Sequence, residues 1–279
     1  MQRRHFFAAA AAAIAGVPVG AAFAQKRSTQ KLGNIGVQLY TVRHMMEKDV
    51  GRTLEAVAAA GYKEVEFAGY FNTNPPVMKK LLDANGLSAP SSHIGMGDLG
   101  PRLNLTIEDA NALGLKYLTV AWIDAPDRTP ERYKRIAERL NAAGMQSLVD
   151  GVQLAYHNHS FDFTTVQGRL LYDVMIEETD PRYVAMQADV FWMKHGGHDP
   201  ASWIRRYPGR FHMMHVKDIG PAPENEMRDV GKGTIDWAAL ISQASRAGVK
   251  HWFVEHDEPE NPVASIQASY RYLRALRFS

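Results

Sequence analysis

Residues 133–159 read YKRIAERLNAAGMQSLVDGVQLAYHNH, and this stretch contains the unit from which the fold is predicted. Its first half has the i, i+3, i+4, i+7 apolar spacing of a helix with one buried face, at Tyr133, Ile136, Ala137 and Leu140. Gly144 is expected to stop this helix. An apolar strand over Val152–His157 follows and ends in the polar run His157-Asn158-His159. The unit is therefore a helix, a glycine, a strand and a polar segment at the end of the strand.

The same unit recurs from Asn34 to the end of the chain. Further helices are predicted to stop at Gly61, Gly86, Gly114 and Gly248. Eight strands are predicted, over Ile35–Tyr40, Glu64–Ala68, Leu87–His93, Tyr117–Ile123, Val152–His157, Val184–Val190, Phe211–Val216 and His251–Glu255. Eight strand–helix units in about 250 residues indicate an α/β fold, a (β/α)8 TIM barrel that forms a single domain over 34–279. An open doubly wound sheet is the alternative, but no G-x-G-x-x-G follows the first strand.

The first 24 residues are predicted to be a cleaved signal peptide. Arg3 and Arg4 precede the apolar run Ala8–Phe23, and Ala22-Phe23-Ala24 is typical of a cleavage site. The adjacent arginines indicate the bacterial twin-arginine route, so the mature protein is expected to be periplasmic or exported. The run is weakly apolar and interrupted by glycine and proline, which argues against a stable membrane anchor.

Composition excludes several classes of function. The chain has 279 residues and no cysteine, which removes disulfides, zinc fingers, iron–sulfur clusters and thiol nucleophiles. The formal charge is +2, and outside the signal peptide acidic and basic residues balance. A neutral body offers no broad basic face for a phosphate backbone, so no nucleic-acid partner is expected.

Polar and ionisable residues stand at the ends of the predicted strands, where the active face of a barrel lies. Each of the last four strands ends with at least one histidine or carboxylate: His157 and His159, then Asp189, then His215 and Asp218, and finally Glu255, Asp257 and Glu258. Four such groups on neighbouring strands could surround one divalent metal ion. Mixed nitrogen and oxygen donors suit Mn, Co, Zn or a similar metal better than Ca, which prefers oxygen alone.

The motifs Tyr156-His157-Asn158-His159, Met214-His215-Val216-Lys217-Asp218 and Val254-Glu255 make the resemblance to a family specific. With Gly36-Val37-Gln38-Leu39-Tyr40 and Gly231-Lys232-Gly233, they resemble the xylose-isomerase-like TIM-barrel superfamily, the sugar phosphate isomerases and epimerases. The resemblance covers nearly the whole mature chain. It implies one divalent metal held by groups from the last four strands, here His157, Asp189, His215 and Glu255.

One position departs from part of this superfamily. Ketose 3-epimerases have a glutamate where this chain has His157, and two metal-bound glutamates exchange protons across the sugar in them. A metal-bound imidazole has no free lone pair for that task. The histidine version resembles the inosose-dehydratase-like branch, which eliminates water beside a ketone, and exported proteins thought to act on 3-keto sugars.

The resemblance implies abstraction of a proton next to a carbonyl group. The leading hypothesis is a metal-dependent isomerase or epimerase acting on an unphosphorylated sugar or keto-sugar. The alternative is a lyase, dehydratase or hydratase acting on a 3-keto sugar or an inosose. A non-catalytic periplasmic sugar-binding protein is a third hypothesis, and an apurinic endonuclease is opposed by the neutral body. Homo-oligomers are common in the superfamily, but no feature of the sequence sets a subunit number.

Individual roles follow from these positions. The groups predicted to carry protons are Glu255, His159, Lys217 and His93. The groups predicted to contact substrate are Gln38, Glu66, Trp122 and Trp192, of which the tryptophans could stack on a sugar ring. Asp218 is expected to cap a loop.

Overall fold

The computed structural model describes residues 29–279, so the predicted signal peptide over 1–24 lies outside the described residues. Eight parallel strands, numbered here in chain order, close into a barrel. They are β1 (Gly36–Gln38), β2 (Glu64–Phe67), β3 (Ser88–Ile94), β4 (Tyr117–Val120), β5 (Gln153–His157), β6 (Val184–Asp189), β7 (Phe211–Val216) and β8 (His251–Val254). The prediction of a (β/α)8 TIM barrel is confirmed.

Helices surround the barrel, and short irregular segments connect them to the strands. The helices are α1 (Arg43–Met46), α2 (Val50–Ala60), α3 (Pro75–Ala84), α4 (Leu103–Leu113), α5 (Pro130–Leu148), α6 (Leu171–Glu178), α7 (Val190–His195), α8 (Pro200–Arg206), α9 (Trp237–Arg246) and α10 (Pro262–Ala275). Two small hairpins pair Thr165–Val166 with Arg169–Leu170 and Asp218–Ile219 with Met227–Arg228. Within 29–279, no helix has both the length and the apolar character needed to cross a membrane.

The barrel closes where β1 pairs with β8, with Gly36 opposite Phe253. A Cβ on Gly36 would lie 2.6 Å from the Phe253 ring, so glycine is needed for this ring to fill the interior. Phe253 packs there in a small apolar cluster with Tyr117, Ala155, Ala185 and Met213. The cluster closes the middle of the barrel, so polar groups above it can face a cavity at the carboxyl ends of the strands.

All eight predicted strands are present, with bounds shifted by at most three residues. Gly61 and Gly114 end α2 and α4 in left-handed backbone conformations, as predicted. The predicted helix stop at Gly144 is wrong, because α5 continues to Leu148. A Cβ at Gly144 would lie 2.7 Å from the carbonyl oxygen of Tyr183, so this glycine allows close packing inside the helix.

Asp218 organises the loop after β7, in agreement with its predicted role as a cap. Its carboxylate accepts hydrogen bonds from the backbone of Ile219 and Gly231 and from Trp237 Nε1. A Cβ on Gly233 would overlap the Asp218 side chain and the carbonyl of Ile219. The two glycines of Gly231-Lys232-Gly233 therefore serve loop packing.

Candidate metal centre

The four residues predicted as metal ligands meet at the carboxyl ends of β5, β6, β7 and β8, and all four are buried. His157 Nε2 lies 3.6 Å from Asp189 Oδ2. His215 Nδ1 lies 3.9 Å from the same oxygen and 2.6 Å from Glu255 Oε2. Neighbouring parallel strands bring these side chains together because Asp189 and His215 are register partners.

A hydrogen-bonded floor lies beneath these ligands. Gln187 Oε1 accepts from His157 Nδ1 at 2.8 Å and from His93 Nε2 at 3.0 Å. Gln187 Nε2 in turn donates to Glu66 Oε1 at 2.7 Å, and Glu66 Oε2 accepts from His215 Nε2. Hydrogen bonds of this kind determine which imidazole nitrogen can bind a metal, so His157 Nε2 and His215 Nδ1 are the nitrogens left for it.

The protonation of the two histidines follows from their surroundings. Burial lowers the pKa of His157 well below its usual value, which keeps that imidazole neutral. Burial acts in the same direction on His215, but the carboxylates of Glu255 and Glu66 outweigh it and raise its pKa to about 10. Both nitrogens of His215 then carry protons. Binding of a metal at Nδ1 must displace one of them.

Among residues 29–279, Lys217 carries the only ammonium group at this centre. Its Nζ lies 2.7 Å from Glu255 Oε2, 3.0 Å from Asp189 Oδ2 and 2.8 Å from Asp257 Oδ1. Burial lowers the pKa of Lys217, but these three carboxylates outweigh it and raise the pKa well above its usual value. Lys217 therefore stays charged and aligns the carboxylates around it.

The donor set fits a divalent cation. Asp189, Glu255 and Asp257 surround the ammonium of Lys217, and Glu66 and Glu255 flank the protonated His215, so four carboxylates face two cations. Asp189 Oδ2 is buried 3.0 Å from Lys217 Nζ, and no other described group donates a hydrogen bond to it. Two overlapping groups have ligand atoms within 4.8 Å of one another, namely His93, His157, His215 and Asp189, His215, Glu255. We favour the set with Asp189, because it supplies two carboxylates besides His215. His157 Nε2, which faces Asp189 Oδ2 at 3.6 Å, would be the fourth ligand.

A cavity of about 760 Å³ opens above this centre. His93, His159, Lys217 and Glu255, all predicted to carry protons, line it together with other residues. Trp122 and Trp192 also line it, and Trp122 is 53% exposed at the mouth. Their predicted roles in proton transfer and substrate contact stay predictions, but the structure places all six groups on one cavity.

Two of these groups have unsatisfied polar atoms. His159 Nδ1 and Trp192 Nε1 are buried without a hydrogen-bond partner in the described part of the chain. Burial, followed by the charge of Lys217, lowers the pKa of His159 to about 3, so its imidazole is neutral. Unsatisfied buried atoms beside a cavity are the groups that a bound polar ligand would satisfy.

The prediction of substrate contact is corrected for Gln38 and Glu66. Both side chains are fully buried and neither lines the cavity. Gln38 Nε2 donates to Glu66 Oε2 at 2.9 Å, and Glu66 is occupied by His215 and Gln187. They support the ligands from below, because their strands are short and end beneath the cavity.

Sequence reasoning missed Asp162, which holds the loop after β5. Its buried carboxylate accepts from the hydroxyls of Tyr133 and Tyr156, each at 2.6 Å, and from the backbone of His159 at 2.7 Å. Burial outweighs these bonds and raises the pKa of Asp162 to about 6. Gln187, Asp257 and Arg128 were missed as well. The position of Asp162, three residues after the motif Tyr156-His157-Asn158-His159, was the sequence signal that could have indicated a capped loop.

Comparisons with known proteins agree with this architecture. The family model described as "Xylose isomerase-like TIM barrel" matches residues 54–276. The chain is 22% identical over 249 residues to an inosose dehydratase of Geobacillus thermodenitrificans, covering 76% of this chain and 83% of the relative. A sugar phosphate isomerase/epimerase structure from Parabacteroides distasonis superposes with a TM-score of 0.76 and 24% identity, covering 87% of this chain and 98% of that one.

A third comparison concerns metal. The structure of the IOLI protein with a binding zinc atom has a TM-score of 0.68 and 15% identity to this chain. The match covers 86% of this chain and 96% of that protein. At these identities, the two structural likenesses establish a shared fold.

Proposed function

Because the chain belongs to the xylose isomerase-like TIM barrel family, we propose that it is a metal-dependent enzyme acting on an unphosphorylated keto-sugar. Its reaction begins with loss of a proton from the carbon beside a carbonyl group. A divalent metal held by His157, Asp189, His215 and Glu255 supplies Lewis-acid stabilisation of that carbonyl, roughly several kcal/mol. The observation that carries the proposal is the buried group of Asp189, His215 and Glu255, whose ligand atoms lie within 4.8 Å of one another. His157 Nε2 lies 3.6 Å from Asp189 Oδ2 and would complete the set.

Elimination of water is the reaction that the geometry favours. Proton exchange between two facing carboxylates needs a second free carboxylate, and His157 stands at that place. Asp189 does not line the cavity, and its Oδ1 caps α7 by accepting from Trp192 N at 2.9 Å. Glu255 is thus the carboxylate of the ligand set that faces substrate.

The chain's own groups can serve both halves of an elimination. Glu255 takes the proton from the carbon beside the ketone, and the electron pair of that bond forms a C=C bond conjugated with the carbonyl. The C–O bond on the next carbon breaks, and its hydroxyl takes the proton that Glu255 accepted and leaves as water, which returns Glu255 to its ionised form. Lys217, 2.7 Å from Glu255, is positioned to hold that leaving oxygen. The relative named as an inosose dehydratase supports this reaction class.

Isomerisation or epimerisation is the second candidate, and His159 is the observation in its favour. An epimerase must return a proton to the opposite face of the carbon, which needs a second carrier besides Glu255. His159 lines the cavity and its Nδ1 has no partner among the described residues. The sugar phosphate isomerase/epimerase with the same fold is consistent with this alternative.

Product analysis in heavy water separates the two reactions. We would incubate the metal-loaded protein with an inosose and with a 3-keto-glucose, and measure product mass and solvent deuterium. Loss of one water supports elimination. Unchanged mass apart from incorporated deuterium supports epimerisation, and tight binding with neither change supports the binding-protein hypothesis. Asp189→Asn should abolish either reaction.

We also propose that the protein is exported through the twin-arginine signal of residues 1–24. Cell fractionation and N-terminal sequencing test this directly. The expected result is a periplasmic protein that begins near Gln25, and retention in the cytoplasm when Arg3 and Arg4 are both replaced by lysine. Cytoplasmic protein with residues 1–24 intact would contradict the proposal.

A further inference from the structure

Arg128 lines the cavity and its guanidinium lies against aromatic rings. Its Cζ is 3.6 Å from the centre of the Phe161 ring and 5.1 Å from that of Trp122. The Nε atom donates to the carbonyl oxygen of Ile123 at 3.0 Å. A guanidinium has five N–H donors, so stacking and this one bond leave its outer edge available.

No carboxylate in the described part of the chain pairs with Arg128 within 4.0 Å. The acidic residues of the cavity already have partners, since Glu258 binds Arg43 and both Asp257 and Glu255 bind Lys217. Asp162 feels the charge of Arg128 through space. Both of its oxygens are nevertheless occupied, by two tyrosine hydroxyls and the His159 backbone.

Successive aromatic ring contacts connect Arg128 with the metal ligands. Phe161 lies parallel to His159, with ring centres 5.4 Å apart, and the His159 ring is 4.8 Å from that of His157. The guanidinium is therefore two rings away from the ligand set. A charged group bound there belongs to a part of the substrate remote from the reacting carbon.

We propose that Arg128 binds a carboxylate of the substrate, so that the substrate is an acidic keto-sugar or a keto-sugar with an acidic substituent. This inference rests on the proposed function and specifies the substrate class of the same site. A planar guanidinium edge matches a carboxylate through two parallel hydrogen bonds. One unpaired arginine balances one negative charge, which suits a carboxylate better than a dianionic phosphate.

Binding of stable sugars tests this without relying on turnover. D-glucuronate, D-glucose and glucose 6-phosphate would be titrated calorimetrically into the metal-loaded protein, its Arg128→Gln variant and its Arg132→Gln variant. Arg132 is a matched control, because it is exposed, pairs with Asp127 and does not line the cavity. We expect glucuronate to bind at least about tenfold more tightly than glucose, with the preference lost in Arg128→Gln and retained in Arg132→Gln.

Each other outcome overturns the inference in a recognisable way. Equal affinity for glucuronate and glucose, or a preference that survives Arg128→Gln, means that Arg128 only packs against Phe161. Tighter binding of glucose 6-phosphate that depends on Arg128 replaces the carboxylate with a phosphate. If none of the three sugars binds, this inference fails, and the proposed function is decided separately by the turnover experiment with an inosose and a 3-keto-glucose.

Discussion

The two ends of the barrel interior contain the same residue types and differ in charge balance. At the carboxyl end, Glu66 lies beneath His157 and His215, and all three are buried. At the amino end, Glu64 contacts His251 Nδ1 at 2.9 Å, and the neighbouring His212 Nδ1 lies 3.3 Å from the hydroxyl of Tyr117.

Charge balance and burial explain why only one end fits a metal. The amino-end cluster has a single carboxylate, that of Glu64, beside the histidine His251, so it gathers fewer acidic groups. The carboxyl end holds four carboxylates beside two cations, the Lys217 ammonium and the protonated His215, so negative charge is left over. Among the described residues, the two groups able to hold a metal both include His215. Histidine and glutamate at a strand end are therefore insufficient; an unbalanced buried set is the informative feature.

Asp189→Asn should have the largest effect on metal content and activity. The amide keeps the shape but removes the charge and one donor oxygen, so we expect loss of bound metal and a fall in activity of about 1,000-fold or more. Glu64→Gln is the matched change at the amino end and should leave both within about twofold. Metal content and turnover of the two variants measure the difference, and equal losses in both would contradict the assignment.

Glu66→Gln tests the floor beneath the ligands. Loss of the charge that orients His215 Nε2 should weaken metal binding by about 10- to 100-fold without preventing it. Competition with a chelator of known affinity measures the change. An unchanged metal affinity would mean that Glu66 is a packing residue, like Glu64 at the other end.

Asp162 and His212 should give the two ends opposite pH responses. The pKa of Asp162 is raised from 3.8 to about 6, so the stability it contributes is present below pH 4 and lost as pH rises to 6. Relative to Asp162→Asn, the wild type should lose on the order of 2 kcal/mol of unfolding free energy over that range. Denaturant unfolding at several pH values measures this, and a pH-independent difference would contradict it.

Burial lowers the pKa of His212, so its contribution has the opposite sign. The stability that neutral His212 contributes is fully present above the pKa of about 6.5 in the unfolded state, and it is lost as pH falls. The difference between the wild type and His212→Gln should therefore grow in favour of the wild type as pH rises toward 7. The same unfolding series checks this sign.

Glu64→Gln should have the smallest effect. Loss of the half-buried contact with His251 should cost about 1 kcal/mol of unfolding free energy. Thermal unfolding with and without added metal measures it. Metal should stabilise Glu64→Gln as much as the wild type. A smaller stabilisation would mean that Glu64, at the amino end, affects metal binding at the carboxyl end.

The sequence predicted the barrel, and it predicted which side chains meet at the rim, because both depend on local pattern. Alternating apolar runs define the strands, and the residue that ends each strand of a closed parallel barrel must face one rim. Gly144 misled because its role is a contact with Tyr183, which local pattern does not reveal. The prediction placed Gln38 and Glu66 at the level of the cavity, whereas they lie beneath it. Strand ends near the rim cannot be located to within one residue from sequence.

Residues that act through distant partners were the ones missed. Gln187 meets Glu66 across 121 positions of sequence, and Tyr133 reaches Asp162 across 29. Arg128 follows β4 at the end of a short 3-10 turn, against the Phe161 ring. Its proposed role depends on the lack of a carboxylate partner among the described residues. Spacing along the chain contains no signal for such contacts, so they required the folded arrangement.

Elemental analysis of the purified mature protein tests the central claim most directly, with His157→Ala and Glu64→Gln measured in parallel. The account predicts about one equivalent of a transition metal in the wild type and in Glu64→Gln, and far less in His157→Ala. A wild type that contains no metal and takes up neither Mn, Co nor Zn would contradict the account. So would full metal content in His157→Ala.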